Sequence, residues 1–149
     1  MTRDRSVWFA LRDGGLYRFS AQTGELDHFS PDPNDPGSLS DNPIYRLYMD
    51  ASGILWIGTE TMGLDIYDAT RTKFSRIQKN PTETETLTSN MVWSVTQDLD
   101  GKLWVGTQRG LNEIDRNSGS IRHYFYTEKE DSMNPPNDTI QSLYCDKEG

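Results

Sequence analysis

Apolar residues along this chain come in short runs separated by polar turns, with no helical periodicity sustained long enough to predict a helix. Leu55-Trp56-Ile57-Gly58-Thr59 is β-branched and aromatic and suits a strand covered on both faces. Gly63-Leu64-Asp65-Ile66-Tyr67-Asp68 opens on a turn glycine and predicts a second strand. After the polar turn Ala69-Thr70-Arg71-Thr72, Phe74 to Gln78 predicts a third. The Pro-, Thr- and Glu-rich stretch Asn80-Pro81-Thr82-Glu83-Thr84-Glu85 reads as a surface loop. Met91-Val92-Trp93-Ser94-Val95-Thr96 then predicts a fourth strand. The spacing of three between Val92 and Val95 breaks strict alternation, but the run is too short for a helix, so the pattern fits a strand open to a bulge.

This four-strand pattern recurs. Trp8, Trp56 and Trp104 are spaced by 48 residues, as are Asp50, Asp98 and Asp146, and Gly53, Gly101 and Gly149. Two apolar series, Ile44/Val92/Ile140 and Leu47/Val95/Leu143, keep the same register. Gly15-Leu16 and Gly63-Leu64 correspond to Gly110-Leu111 after a one-residue slip, which belongs in a loop. In Asp98-Leu99-Asp100-Gly101 the carboxylate can accept backbone N–H bonds and the glycine supplies positive φ, returning the chain to Leu103-Trp104 as a hairpin. Four short hairpin-linked strands per repeat define a blade that hides its faces against the next, which predicts an all-β fold of β-propeller blades. The expected organisation is three four-stranded antiparallel repeats of about 48 residues, with sequence units 6–53, 54–101 and 102–149 permuted in strand order relative to the structural blades. The tryptophan strand should lie second from the axis, and the segments starting at Ile44, Val92 and Ile140 innermost. A ring needs roughly four to eight blades, so three should leave open end faces prone to self-association.

Composition narrows the function classes. Hydrophobic residues make up 34% of the 149, and the net charge of −8, with no basic run, argues against a nucleic-acid surface. No apolar stretch approaches the ~20 residues of a membrane span, and no secretory signal follows Met1-Thr2-Arg3-Asp4, so direct membrane insertion by this segment is not expected. One cysteine, Cys145, excludes an intrachain disulfide. No phosphate-cradling loop is visible, since Asp13-Gly14-Gly15 lacks the Lys-Ser/Thr of a P-loop. Asp98-x-Asp100-Gly101 lacks the remaining ligands of a calcium loop and reads as a turn. His28 and His123 sit on matching outer strands two units apart and cannot share a metal. Neither a metal nor a cofactor is expected.

The motif D-x-x-G-x-L-W-[IV]-G-T-x-x-G-L runs from Asp50 to Leu64 with one extra residue, and from Asp98 to Leu111, with Ser89-Asn90 upstream of an apolar strand. It resembles the two-component regulator propeller repeat. The first unit departs from it: Val7-Trp8-Phe9-Ala10-Leu11 replaces L-W-I-G-T, and Thr2 and Arg5 stand where Asp and Gly belong. The resemblance implies a segment of a larger, seven-bladed propeller. It also implies the periplasmic sensory part of an inner-membrane bacterial receptor, whose downstream domains include a histidine kinase or diguanylate cyclase. Carbohydrate is one ligand class that the resemblance implies.

The tryptophans at the 48-residue spacing read as core rather than sugar platforms. Tyr45 and Trp93 are equivalent positions near the start of the inner strands, and Gln141 stands at the third. Such variation inside a regular repeat suits either a pocket or a tolerant rim. Loops entering the inner strands and leaving the second strands place Asn42, Tyr45, Asn90, Trp93, Asn137, Glu60, Gln108 and Arg109 on one face as ligand-binding candidates. No acid–base pair stands out, so no catalytic residue is assigned and the segment is read as non-catalytic. The expected partners are a carbohydrate or other small molecule, the remaining blades and the downstream receptor domains. A propeller enzyme of hydrolase or lyase type and a protein-binding scaffold remain the competing readings.

Overall fold

The computed structural model describes residues 5–71, 73–125 and 138–146. Among them the regular elements are all strands: β1 (Ser6–Leu11), β2 (Gly15–Ser20), β3 (Leu26–Phe29), β4 (Ile44–Met49), β5 (Leu55–Thr59), β6 (Leu64–Tyr67), β7 (Phe74–Ile77), β8 (Val92–Gln97), β9 (Leu103–Thr107), β10 (Gly110–Ile114) and β11 (Ile121–Tyr124). They form three antiparallel meanders, β1-β2-β3, β4-β5-β6-β7 and β8-β9-β10-β11. β8 packs on both β4 and β5, and β1 packs on β4, so the sheets stack with their first strands converging. Each tryptophan strand is paired to the strand of the preceding sequence unit: β5 to β4 and β9 to β8.

Two expectations need correction. The first sheet has three strands rather than four. The segment from Ile140, expected as an inner strand, carries no strand assignment among the described residues 138–146. A strand is a hydrogen-bonded ladder, and no described strand pairs with this one. It nevertheless occupies the inner strand's position: Gly110 N–H donates to Asp138 O at 2.9 Å as Gly63 N–H donates to Asn90 O, and Ile140 N–H donates to Thr107 O at 2.9 Å.

The hairpin between inner and tryptophan strands explains its own motif. Asp50 Oδ1 accepts from Ser52 and Ile54 N–H, while Oδ2 accepts the Trp56 indole N–H at 2.9 Å. Asp98 repeats this with Lys102 N–H and Trp104 Nε1–H at 2.7 Å. These bonds satisfy the polar atom of each buried ring, and they make the Asp98 loop a turn rather than a calcium loop. Gly53 and Gly101 sit at φ 85 and 83, where a side chain would be strained.

Core clusters fill both gaps between sheets. Leu16, Leu39, Leu55, Ile57, Tyr67 and Phe74 form one. Trp56, Leu64, Leu87, Val95, Leu103 and Val105 belong to the other. Leu39 and Leu87, 48 residues apart, come from the loops before β4 and β8 and plug these gaps at 1% exposure. Each plug is latched by its neighbour: Ser40 N–H donates to Asp65 Oδ2 at 2.7 Å, and Thr88 N–H to Asn112 Oδ1 at 2.9 Å.

Candidate ligand-binding site

Register along the inner strands places the most exposed chemistry. Ile44 pairs with Thr59 and Arg46 with Gly58, which leaves Tyr45 as the extra residue of a bulge. Val92 pairs with Thr107 and Ser94 with Gly106, leaving Trp93 in the same role. A bulge re-aims a side chain out of the alternation that the rest of the strand obeys. The two released rings meet across the gap between sheets, with centroids 4.6 Å apart and planes 2° from parallel. The broken Val92–Val95 spacing thus has a local cause.

Tyr45 Oη donates to Glu60 Oε1 at 2.6 Å. That bond, then desolvation and the charge of Glu60, raise the tyrosine pKa, while Arg12 opposes the shift. Glu60 is fixed through its N–H on Pro43 O at 3.0 Å. Its neighbour Thr61 is held by Asp41, which accepts from Thr61 N–H and Oγ1–H at 3.0 and 2.7 Å. The Trp93 indole nitrogen is buried and has no hydrogen-bond partner among the described residues. The site therefore combines a stacked aromatic pair, a carboxylate already holding one hydroxyl, and an indole donor with unused capacity.

The other candidates fall around this centre. Gln108 and Arg109 are exposed on the turn after β9, with Gln108 N–H bonded to Met91 O at 3.0 Å and Arg109 N–H to Thr107 Oγ1 at 3.1 Å. Asn90 is occupied by the scaffold: its Oδ1 accepts Lys79 N–H at 2.6 Å. Asn42 lies at the equivalent seam beside Gly15, and its Oδ1 is buried without a hydrogen bond. Asn137 lies outside the described residues. Sequence reading overlooked Asp41 and Arg12, although Arg12 lies 48 residues before Glu60, as Gln108 lies 48 after it. Among the described residues no group of His, Cys, Asp and Glu is arranged to hold a metal ion. His28 and His123 instead bond Gly14 O at 2.7 Å and Thr86 O at 2.6 Å.

Antiparallel meanders stacked through converging first strands, with hairpin-linked tryptophan strands, define a segment of a β-propeller. Residues 38–61 and 86–109 match the family described as two component regulator propeller. Each match runs from the loop before an inner strand, through the bulge and the Asp–Trp hairpin, to the turn bearing Glu60 or Arg109. The chain is a propeller segment built on two component regulator propeller repeats.

Solved structures agree on the fold. The extracellular domain of BT3049 from B. thetaiotaomicron, described as a hybrid two component system, is similar with a TM-score of 0.73 and 26% identity over 92% of this chain. The extracellular domain of BT4673 from the same organism, described as a one component system, gives 0.67 and 21% over 99%. This chain spans 18% and 24% of those two lengths. Virginiamycin B lyase from Staphylococcus aureus is similar in fold alone, with a TM-score of 0.60 and 14% identity over 87% of this chain and 40% of the lyase. No curated protein matches the sequence.

Proposed function

We propose that this chain is a non-catalytic, ligand-binding part of an extracytoplasmic bacterial signalling receptor, and that its ligand is a carbohydrate meeting the face around Tyr45 and Trp93. The observation that carries this reading is the paired bulge. Two equivalent strands both break register at the one position where they present an aromatic ring, and the rings stack beside Glu60 and Asp41. Aromatic rings offer apolar platforms to sugar C–H groups, while Glu60 and the free capacity of the Trp93 indole suit hydroxyls. The similarity to the extracellular domains of the two B. thetaiotaomicron systems supports the sensory and extracytoplasmic parts of the proposal. A kinase or cyclase output would lie in other domains of the receptor.

The test is a glycan-array screen of the purified chain followed by calorimetric titration of any hit. Trp93→Ala and Glu60→Gln should each weaken binding by about tenfold or more, a loss of ~1.4 kcal/mol or greater, while leaving the fold intact. A glycan bound equally well by both variants would remove this face from consideration, and turnover of the glycan would make the chain an enzyme.

A further inference from the structure

The two complete Asp–Trp hairpins are identical in their own bonds but differ in what lies over them. At the first, Arg116 from the β10–β11 turn reaches across the gap between sheets. Its Nη1 lies 2.7 Å from Asp50 Oδ2, and its guanidinium stands 5.3 Å from the centroid of the Trp56 ring. Asp50 thereby holds an indole N–H and a guanidinium on one carboxylate oxygen, and Trp56 is only 4% exposed. At the second, Asp98 Oδ2 accepts the Trp104 indole N–H in the same way. Trp104 is half-buried, beside an open cavity of about 310 Å³ whose walls include Thr96, Asp98, Trp104, Leu111 and Leu143.

We propose that this cavity is a guanidinium site, filled by an arginine that a further propeller repeat presents against the face of the β8–β11 sheet. An aromatic face with a carboxylate at its edge suits a planar cation that can stack and hydrogen-bond at once, which guanidinium does and ammonium does poorly. The occupied copy 48 residues earlier shows that this constellation accepts such a group, and that the group comes from the turn after the third strand of the adjoining sheet. The site joins repeat to repeat and is separate from the Tyr45–Trp93 face.

The experiment follows the indole N–H signals of the isotopically labelled chain by NMR during titration with N-acetyl-arginine amide and, separately, N-acetyl-lysine amide. The Trp104 signal should shift saturably with the arginine compound, at least about fivefold more tightly than with the lysine one. Asp98→Asn, whose Oδ1 can still accept the turn N–H bond, should abolish the response. Arg116→Ala supplies an internal standard, because it empties the Trp56 site, which should then respond to the same compound. A Trp56 response in Arg116→Ala without one at Trp104, no response at either ring, or equal affinity for the lysine compound overturns the proposal.

Discussion

Replacing Asp65 with asparagine should stabilise this protein, and the reason lies in comparing two latches. Asn112 receives Thr88 N–H on Oδ1, and its Nδ2 donates to Val105 O at 3.1 Å and Thr88 Oγ1 at 3.0 Å. Asp65 holds the equivalent position on β6, opposite Ile57 as Asn112 is opposite Val105. It receives Ser40 N–H on Oδ2, but its Oδ1 and the Ser40 hydroxyl are both buried without a hydrogen bond. Burial raises the pKa of Asp65, against the lowering influence of the Ser40 bonds and Arg76. Arg76 Nε lies 3.7 Å away, too far for a hydrogen bond. In Asp65→Asn a donor stands where Oδ1 now has none to meet.

Relieving one unsatisfied buried acceptor is worth ~1–3 kcal/mol. Losing the attraction of the partly exposed Arg76 takes back ~1 kcal/mol at most, leaving a gain of ~1–2 kcal/mol at pH 7. The pH dependence has a fixed sign. A carboxyl whose pKa is raised by folding binds its proton more tightly in the native state, so its contribution is most favourable below its unfolded pKa of ~3.9 and declines as pH rises through the folded value. The asparagine variant lacks this decline. Urea melts followed by tryptophan fluorescence at pH 7 and pH 4 should therefore show a higher midpoint for Asp65→Asn at pH 7, with unchanged m-value, and a smaller difference at pH 4. A variant less stable at pH 7, or equally stabilised at both pH values, refutes the reasoning.

Trp56→Ala should cost ~3–5 kcal/mol as a core cavity that also strands Asp50 and Arg116. Trp93→Ala, which removes one ring of a half-buried stack, should cost less than ~2 kcal/mol in the same melts, and the opposite ranking would reverse the assignment of core and site. Gly101→Ala should cost ~1–2 kcal/mol for its positive φ alone, since an added methyl meets only the Gln97 side chain at 3.7 Å. Gly63→Ala should cost clearly more, because at φ 84 its methyl would also lie 2.5 Å from Ile77 O. Equal losses for the two glycines, measured as denaturant midpoints, would contradict this account.

The fold was readable because each blade repeats one physical problem at one spacing: an indole must be buried, its N–H must find an acceptor, and the turn before it must reverse the chain. Asp50 and Asp98 solve two of these at once, which is why the aspartate and the tryptophan travel together in the sequence. The bulge was visible too, as the broken apolar spacing between Val92 and Val95, and it led to Tyr45 and Trp93. Their contact was not visible, because nothing in a one-dimensional pattern says that two residues 48 apart will lie with their rings 2° from parallel. Asn90 shows the complementary failure: a polar residue in a loop at the right face looked available, yet its amide oxygen caps Lys79 N–H and its carbonyl closes on Gly63. The same spacing that identifies structural residues also isolates functional ones. At positions 12, 60 and 108 the scaffold demands no particular side chain, since the bonds from Glu60 to Pro43 and from Gln108 to Met91 use only main-chain N–H groups. Those positions hold Arg, Glu and Gln in turn. Variation where the backbone alone meets the structural need leaves the side chains free to distinguish ligands, and around Tyr45 and Trp93 that freedom supplies both a cation and a carboxylate.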